Sequence, residues 1–209
     1  MKTKVKDFIE FDFTARIKDD GIFDTTMGDV ALKEGLIQKE DNERFKPMKL
    51  CIGEGMIVKG LDKELEEKEI GKEYSISLNP EQSFGKRQAN LIKTFPISAF
   101  KQMPHPGMIV NVDGLMAKVL SVNSGRAMMD FNNPLSGKDI IYSFIIRRII
   151  SENKEKLDAF IKAYGLKIKS IEFEGEKGKI FLEGKYPKQI IDELSKKIKE
   201  VMGISVEFS

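Results

Sequence analysis

The sequence predicts an α+β protein in three units: an antiparallel sheet with one short helix, a small inserted β-rich unit, and a C-terminal α+β unit. Three observations lead there. Apolar and polar residues alternate through residues 9–17 and 74–78, the period of half-buried strands. Composition shifts after Gly85 and shifts back near residue 132. Residues 151–209 read helix-strand-strand-helix-strand, a pattern that closes as a compact α+β layer pair.

In the first unit, Ile9, Phe11, Phe13, Ala15 and Ile17 form the buried face of a strand, with Glu10, Asp12, Thr14 and Arg16 on its outer face. Asp19-Asp20-Gly21 is a hairpin-type turn, and a second strand starts at Ile22. Residues 34–46 are polar and read as a loop. A third strand covers 47–52, and Gly53-Glu54-Gly55 ends it. A helix follows, with Val58, Leu61 and Leu65 on its apolar face and Asp62, Lys63, Glu64 and Glu66 on the polar one. Tyr74, Ile76 and Leu78 mark a fourth strand that stops at Pro80, and the apolar run 140–150 reads as a central strand of the same unit.

Residues 86–131 hold Pro96, Pro104 and Pro106, five of the ten methionines, and six basic side chains against two acidic ones. The turn dipeptides Asp113-Gly114 and Ser124-Gly125 separate strand-like runs at 108–112, 115–122 and 127–131. Further on, residues 155–164 are helical, with Leu157, Phe160, Ile161 and Tyr164 on one face. Residues 168–174 and 179–183 form a hairpin. Pro187 opens a second helix at its favoured first position, with Ile190, Ile191, Leu194, Ile198 and Val201 on one side, and residues 204–208 close the unit as a strand.

Composition narrows the function. The 209 residues are 41% hydrophobic and 33% charged, with a net charge of only +2. That balance describes a densely charged, soluble surface and argues against a dedicated nucleic-acid binder. Cys51 is the single cysteine, so no intramolecular disulfide framework exists and a reducing compartment is expected. The first residues carry no apolar run suited to a signal peptide or membrane span, and a cytoplasmic protein away from the membrane is expected. The one histidine, His105, lies between two prolines and reads as a loop residue, so no metal site and no cofactor are implied. Gly53, Gly55 and Gly60 lack the spacing and setting of a nucleotide-binding loop.

Four stretches carry a family resemblance. They are Phe11-Asp12-Phe13-Thr14 followed by Asp20-Gly21-Ile22-Phe23-Asp24-Thr25-Thr26; Ile52-Gly53-Glu54-Gly55-Met56-Ile57-Val58-Lys59-Gly60-Leu61; Leu78-Asn79-Pro80-Glu81-Gln82-Ser83-Phe84-Gly85; and Asp130-Phe131-Asn132-Asn133-Pro134-Leu135-Ser136-Gly137. In this order they resemble the FKBP-type peptidyl-prolyl cis-trans isomerases, specifically the SlyD-like branch with a chaperone domain inserted in the flap beside the active site. Residues 151–209 resemble the extra domain of long archaeal members by position and length. The resemblance implies an antiparallel sheet curled around a short helix in a discontinuous isomerase domain, 1–85 and 132–150. It also implies an insert-in-flap chaperone domain at 86–131 and a separate C-terminal α+β domain at 151–209.

The same resemblance implies a pocket built from Phe13, Phe23, Asp24, Val58, Leu61, Phe84 and Tyr142, with Met48 and Ile57 as further substrate contacts. Rotation about an X-Pro bond is slow because amide resonance must be lost, a barrier of roughly 18–20 kcal/mol. No covalent chemistry is needed. The planar amide is the more polar form, so an apolar recess binds the twisted form better, which is catalysis by differential binding. Family analogy puts the Val58 N–H on a substrate carbonyl and Asp24 at the pocket edge. Leu61 replaces a tryptophan floor, Met48 a phenylalanine, and Phe13 and Phe84 lack the hydroxyls of the family's tyrosines, so tight macrolide binding is not expected.

The insert is read as the part that captures unfolded or proline-containing polypeptides, through Ile97, Phe100, Met103, Met108, Met116, Met128 and Met129. Methionine is flexible and polarizable, so one surface suits many apolar partners. The competing reading is a holdase or assembly module with a vestigial pocket. A nucleic-acid factor ranks last, since the stacking aromatics such surfaces use are missing. The apolar faces of the two C-terminal helices suit either a small closed domain or a homodimer, and the homodimer is the expectation.

Overall fold

The computed structural model describes residues 1–38, 45–175 and 177–209. The polar stretch read as a loop falls partly on residues outside this set. The described chain runs β1 (Phe8–Ile17), β2 (Ile22–Thr25), α1 (Gly28–Lys33), β3 (Met48–Cys51), α2 (Lys59–Glu64), β4 (Glu73–Leu78), β5 (Ile92–Pro96), β6 (Ile109–Val112), β7 (Leu115–Asn123), β8 (Arg126–Asp130), β9 (Ile140–Ile149), α3 (Asn153–Ala163), β10 (Ile168–Glu174), β11 (Lys177–Leu182), α4 (Lys188–Met202) and β12 (Ser205–Phe208). Short 3₁₀ turns at Pro80–Gln82, Ala89–Leu91 and Ile97–Ala99 link some of them. The fold is α+β with mainly antiparallel sheets.

Two compact units result: Met1–Leu78 with Ile140–Ser209, and Asn79–Asp139. The composition break after Gly85 therefore lies inside the second unit, and residues 151–209 join the first rather than standing apart.

In the first unit the sheet runs β2-β1-β9-β4, and β3 pairs with the opposite half of β1 from β2. The ten-residue strand β1 is long enough to serve both, β3 along Phe8–Phe11 and β2 along Thr14–Arg16. The inner face carries Ile9, Phe11, Phe13 and Ala15 of β1 with Ile140, Tyr142, Phe144 and Ile146 of β9, all buried. Leu61 and Leu65 come from α2 and its C-terminal end and are buried as well. On the outer face Arg147 pairs with the buried Asp12 at 2.7 Å, and the Thr26 hydroxyl donates to the same carboxylate at 2.8 Å.

The C-terminal segment shares a core with this sheet. Leu157, Phe160 and Ile161 of α3 and Leu194 and Ile198 of α4 pack in one cluster with Phe8, Cys51 and Ile150, and the Phe8 and Phe160 rings lie 6.1 Å apart. Part of each apolar helix face is thus covered inside the unit, while Tyr164 and Ile190 on those faces, and Phe173 on β10, stay exposed. At Gly178 an added Cβ would stand 3.2 Å from Leu157 and 3.3 Å from Val206, so any side chain there would push those two neighbours back.

In the second unit four strands run β5-β8-β7-β6. Ala117, Val119, Ala127 and Met129 form its buried face. Met129, read as a capture residue, is therefore a core residue. It stands opposite Val119, and in a unit this small little else is available to bury. The strand β5 escapes the sequence pattern because its run is short and ends on Pro96.

Candidate active site

Several of the expected site residues lie on neighbouring strands of the first sheet. Ala15 of β1 lies opposite Asp24 of β2 on one side and opposite Tyr142 of β9 on the other, so the three share one row and one face. One row along, Phe13 pairs with Phe144. The Phe13 ring lies 5.9 Å from Tyr142 and 5.6 Å from Phe11, a continuous aromatic wall. Met48 faces Phe11 from β3 and is half-buried, as is Phe23 on β2. Asp24 is exposed at the rim.

Helix α2 and the loop before it carry three more of the expected site residues. Leu61 is buried, while Ile57 and Val58 are half-buried. Val58 caps the helix with an extended ψ of 135°, and its carbonyl accepts from Asp62 N–H at 3.0 Å. Among the described residues the Val58 N–H meets no acceptor, which leaves a donor available at the helix start.

The amphipathic pattern places Asp62 on the outer face, but the structure buries it. Its two carboxylate oxygens accept from Gly53 N–H at 2.8 Å and Gly55 N–H at 3.0 Å. Both glycines have positive φ, 86° and 67°, a turn that side chains resist and that aims two N–H groups at one carboxylate. Asp62 thereby fixes the loop that leads into Ile57 and Val58. Lys197 of α4 holds the same loop by an ion pair to Glu54 at 3.0 Å. The signal available in the sequence was the Gly-Glu-Gly turn, which needs an acceptor nearby.

Burial pushes the Tyr142 phenol up to about 12, and the negative charge of Asp24 adds to the effect. The hydroxyl stays protonated in neutral solution. It meets no hydrogen-bonding partner among the described residues, although the ring is buried. Register and ring contacts thus bring Phe13, Asp24, Met48 and Tyr142 together along one face of the sheet; Phe23, Ile57, Val58 and Leu61 lie in the same unit.

Phe84 belongs to the second unit and is half-buried, and its carbonyl accepts from the Ser136 hydroxyl at 3.1 Å. Of the insert residues read as capture contacts, Met103, Met116 and Met128 are exposed, while Ile97, Phe100 and Met108 are half-buried. Phe100 and Met108 line a hollow of about 540 Å³ with Phe95, Val110 and Val112. Met116 lines another of about 410 Å³ with Ile109, Leu120 and Pro134.

The chain belongs to the FKBP-type peptidyl-prolyl cis-trans isomerases and is a prolyl isomerase. The family description "FKBP-type peptidyl-prolyl cis-trans isomerase" matches residues 1–99, and "FKBP26, IF domain" matches residues 93–135. Among similar proteins is a short-type peptidyl-prolyl cis-trans isomerase of Methanocaldococcus jannaschii, 28% identical over 149 residues, 70% of this chain and 93% of that protein. SlyD of Helicobacter pylori is 23% identical over 124 residues, 56% of this chain and 67% of its own length. An FKBP-type 16 kDa isomerase of Escherichia coli is 23% identical over 125 residues, 56% and 84% respectively. No helix among the described residues is long and apolar enough to cross a membrane.

Proposed function

We propose that the protein is a cytoplasmic isomerase-chaperone that rotates X-Pro bonds in unfolded or partly folded polypeptides held by its second unit. The isomerase half is supported by the family match over residues 1–99, which holds both the Phe11 and Phe13 rings and a Val58 N–H that meets no acceptor among the described residues. In this reading the proline ring rests on Phe13, Leu61 and Tyr142, and the carbonyl of the substrate accepts from Val58. Asp24 orients the chain at the rim. The apolar surroundings favour the less polar, twisted amide over the planar one. No nucleophile or acid-base pair takes part.

The capture half is supported by exposed Met103, Met116 and Met128 on the second unit. A binding surface on the same chain as the pocket raises the effective concentration of prolyl bonds there. Deleting residues 86–131 is expected to reduce catalysis of proline-limited protein refolding sharply and catalysis on an X-Pro tetrapeptide much less. Equal losses on both substrates would refute the division of labour, and a native chain inactive on the tetrapeptide would leave only a holdase. Self-association through residues 151–209 is part of the proposal, and a monomer mass in solution removes it.

A further inference from the structure

One face of the second-unit sheet stays open to solvent. The register puts Met116 and Lys118 of β7, Ile109 of β6 and Met128 and Arg126 of β8 on it: Lys118 stands opposite both Ile109 and Asp130, and Arg126, Met128 and Asp130 alternate along one strand. Ile109, Met116 and Met128 are 64%, 59% and 42% exposed. Lys118 and Arg126 are exposed, and neither has a carboxylate partner among the described residues. The face's one acid, Asp130, is already taken by Arg87 and by the Asn132 side chain. The register places no aromatic ring on this face.

We propose that this face selects apolar polypeptide segments that carry aspartate or glutamate beside their apolar residues, a refinement that rests on the capture reading above. The three apolar side chains offer area and adaptability to any greasy segment. The two cations decide which segments are accepted. An exposed ion pair adds little affinity by itself, but a uniform sign steers acidic chains in and repels basic ones. Nucleic acid is disfavoured, because single strands need aromatic platforms for their bases.

The test measures binding of the full chain to two labelled peptides with one Leu/Val core, flanked by glutamates in one and lysines in the other. The glutamate peptide binds about tenfold tighter at low salt, and the gap closes as salt rises toward about 0.5 M. Lys118→Gln with Arg126→Gln removes the gap but keeps binding, and Lys118→Glu with Arg126→Glu reverses the order. Equal affinity, or preference for the lysine peptide, overturns the charge selection and leaves capture by apolar contact standing. Failure to bind either peptide overturns both. A single-stranded RNA that displaces the glutamate peptide would assign the cations to nucleic acid instead.

Discussion

Asp24 and Tyr142 stand on strands that flank β1, each opposite Ala15, and the carboxylate reinforces burial in keeping the Tyr142 hydroxyl neutral up to about 12. That hydroxyl is the polar group on the ring that closes the aromatic wall of Phe11 and Phe13. Tyr142→Phe should lower kcat/KM on an X-Pro tetrapeptide about fivefold, the worth of one hydrogen bond. An unchanged value would show the hydroxyl to be idle. Asp24→Asn should bring the Tyr142 transition down in a phenolate absorbance titration, since one of the two causes of its elevation is gone.

Alkaline stability depends on Cys51. Burial, then the charges of Glu54, Asp62 and Asp7, push the buried thiol from 9.0 up to about 12. A folded pKa raised above the unfolded one means stability is intact below about pH 9 and falls as pH climbs toward about 12. Tyr142 adds a similar loss between about 10 and about 12. The thermal midpoint should therefore drop more steeply with pH in the native chain than in Cys51→Ala, with the Tyr142 share remaining. Parallel slopes would contradict this.

Removing the Asp62 carboxylate strands two loop N–H groups. Asp62→Ala should cost about 2–4 kcal/mol in urea denaturation and lower tetrapeptide turnover, because the loop before Ile57 and Val58 loses its anchor. Asp62→Asn keeps an acceptor and should be milder on both counts. If Asp62→Ala lost stability with full turnover, the loop would not position the pocket.

The C-terminal helices and the isomerase sheet should unfold together. Phe160→Ala should cost about 3–5 kcal/mol, and a probe on the sheet should report the same shift as overall helicity. Gly178→Ala, although a change of one methyl, should cost about 1–3 kcal/mol because it meets Leu157 and Val206. Two separate transitions by calorimetry would contradict the shared core.

Much of this fold is legible in the sequence. The period of two in residues 9–17 gives β1 and its buried face, and the apolar run at 140–150 gives a strand that sits between β1 and β4. What escapes depends on partners distant along the chain. A charged residue in an amphipathic helix reads as solvent-facing, and only the approach of Gly53 and Gly55 makes Asp62 an interior anion. Met128 and Met129 look alike in composition, yet adjacent strand residues point oppositely, so one is exposed and the other buried. The six-residue helix α1 begins on a glycine and is too short to show a period. The pocket residues on β1, β2 and β9 are visible as apolar or motif positions, but their common row is a matter of register.

Leu78, where β4 ends, lies opposite Ile140, where β9 begins. The polypeptide thus departs and comes home between cross-strand neighbours, a gap that a two-residue hairpin turn can bridge. Everything from Asn79 to Asp139 is, topologically, an overgrown loop. It can lengthen, shorten or be exchanged for another cassette without moving a single rung of the ladder it interrupts. A change of sequence within the insertion then leaves the pairing of β4 with β9 as it stands.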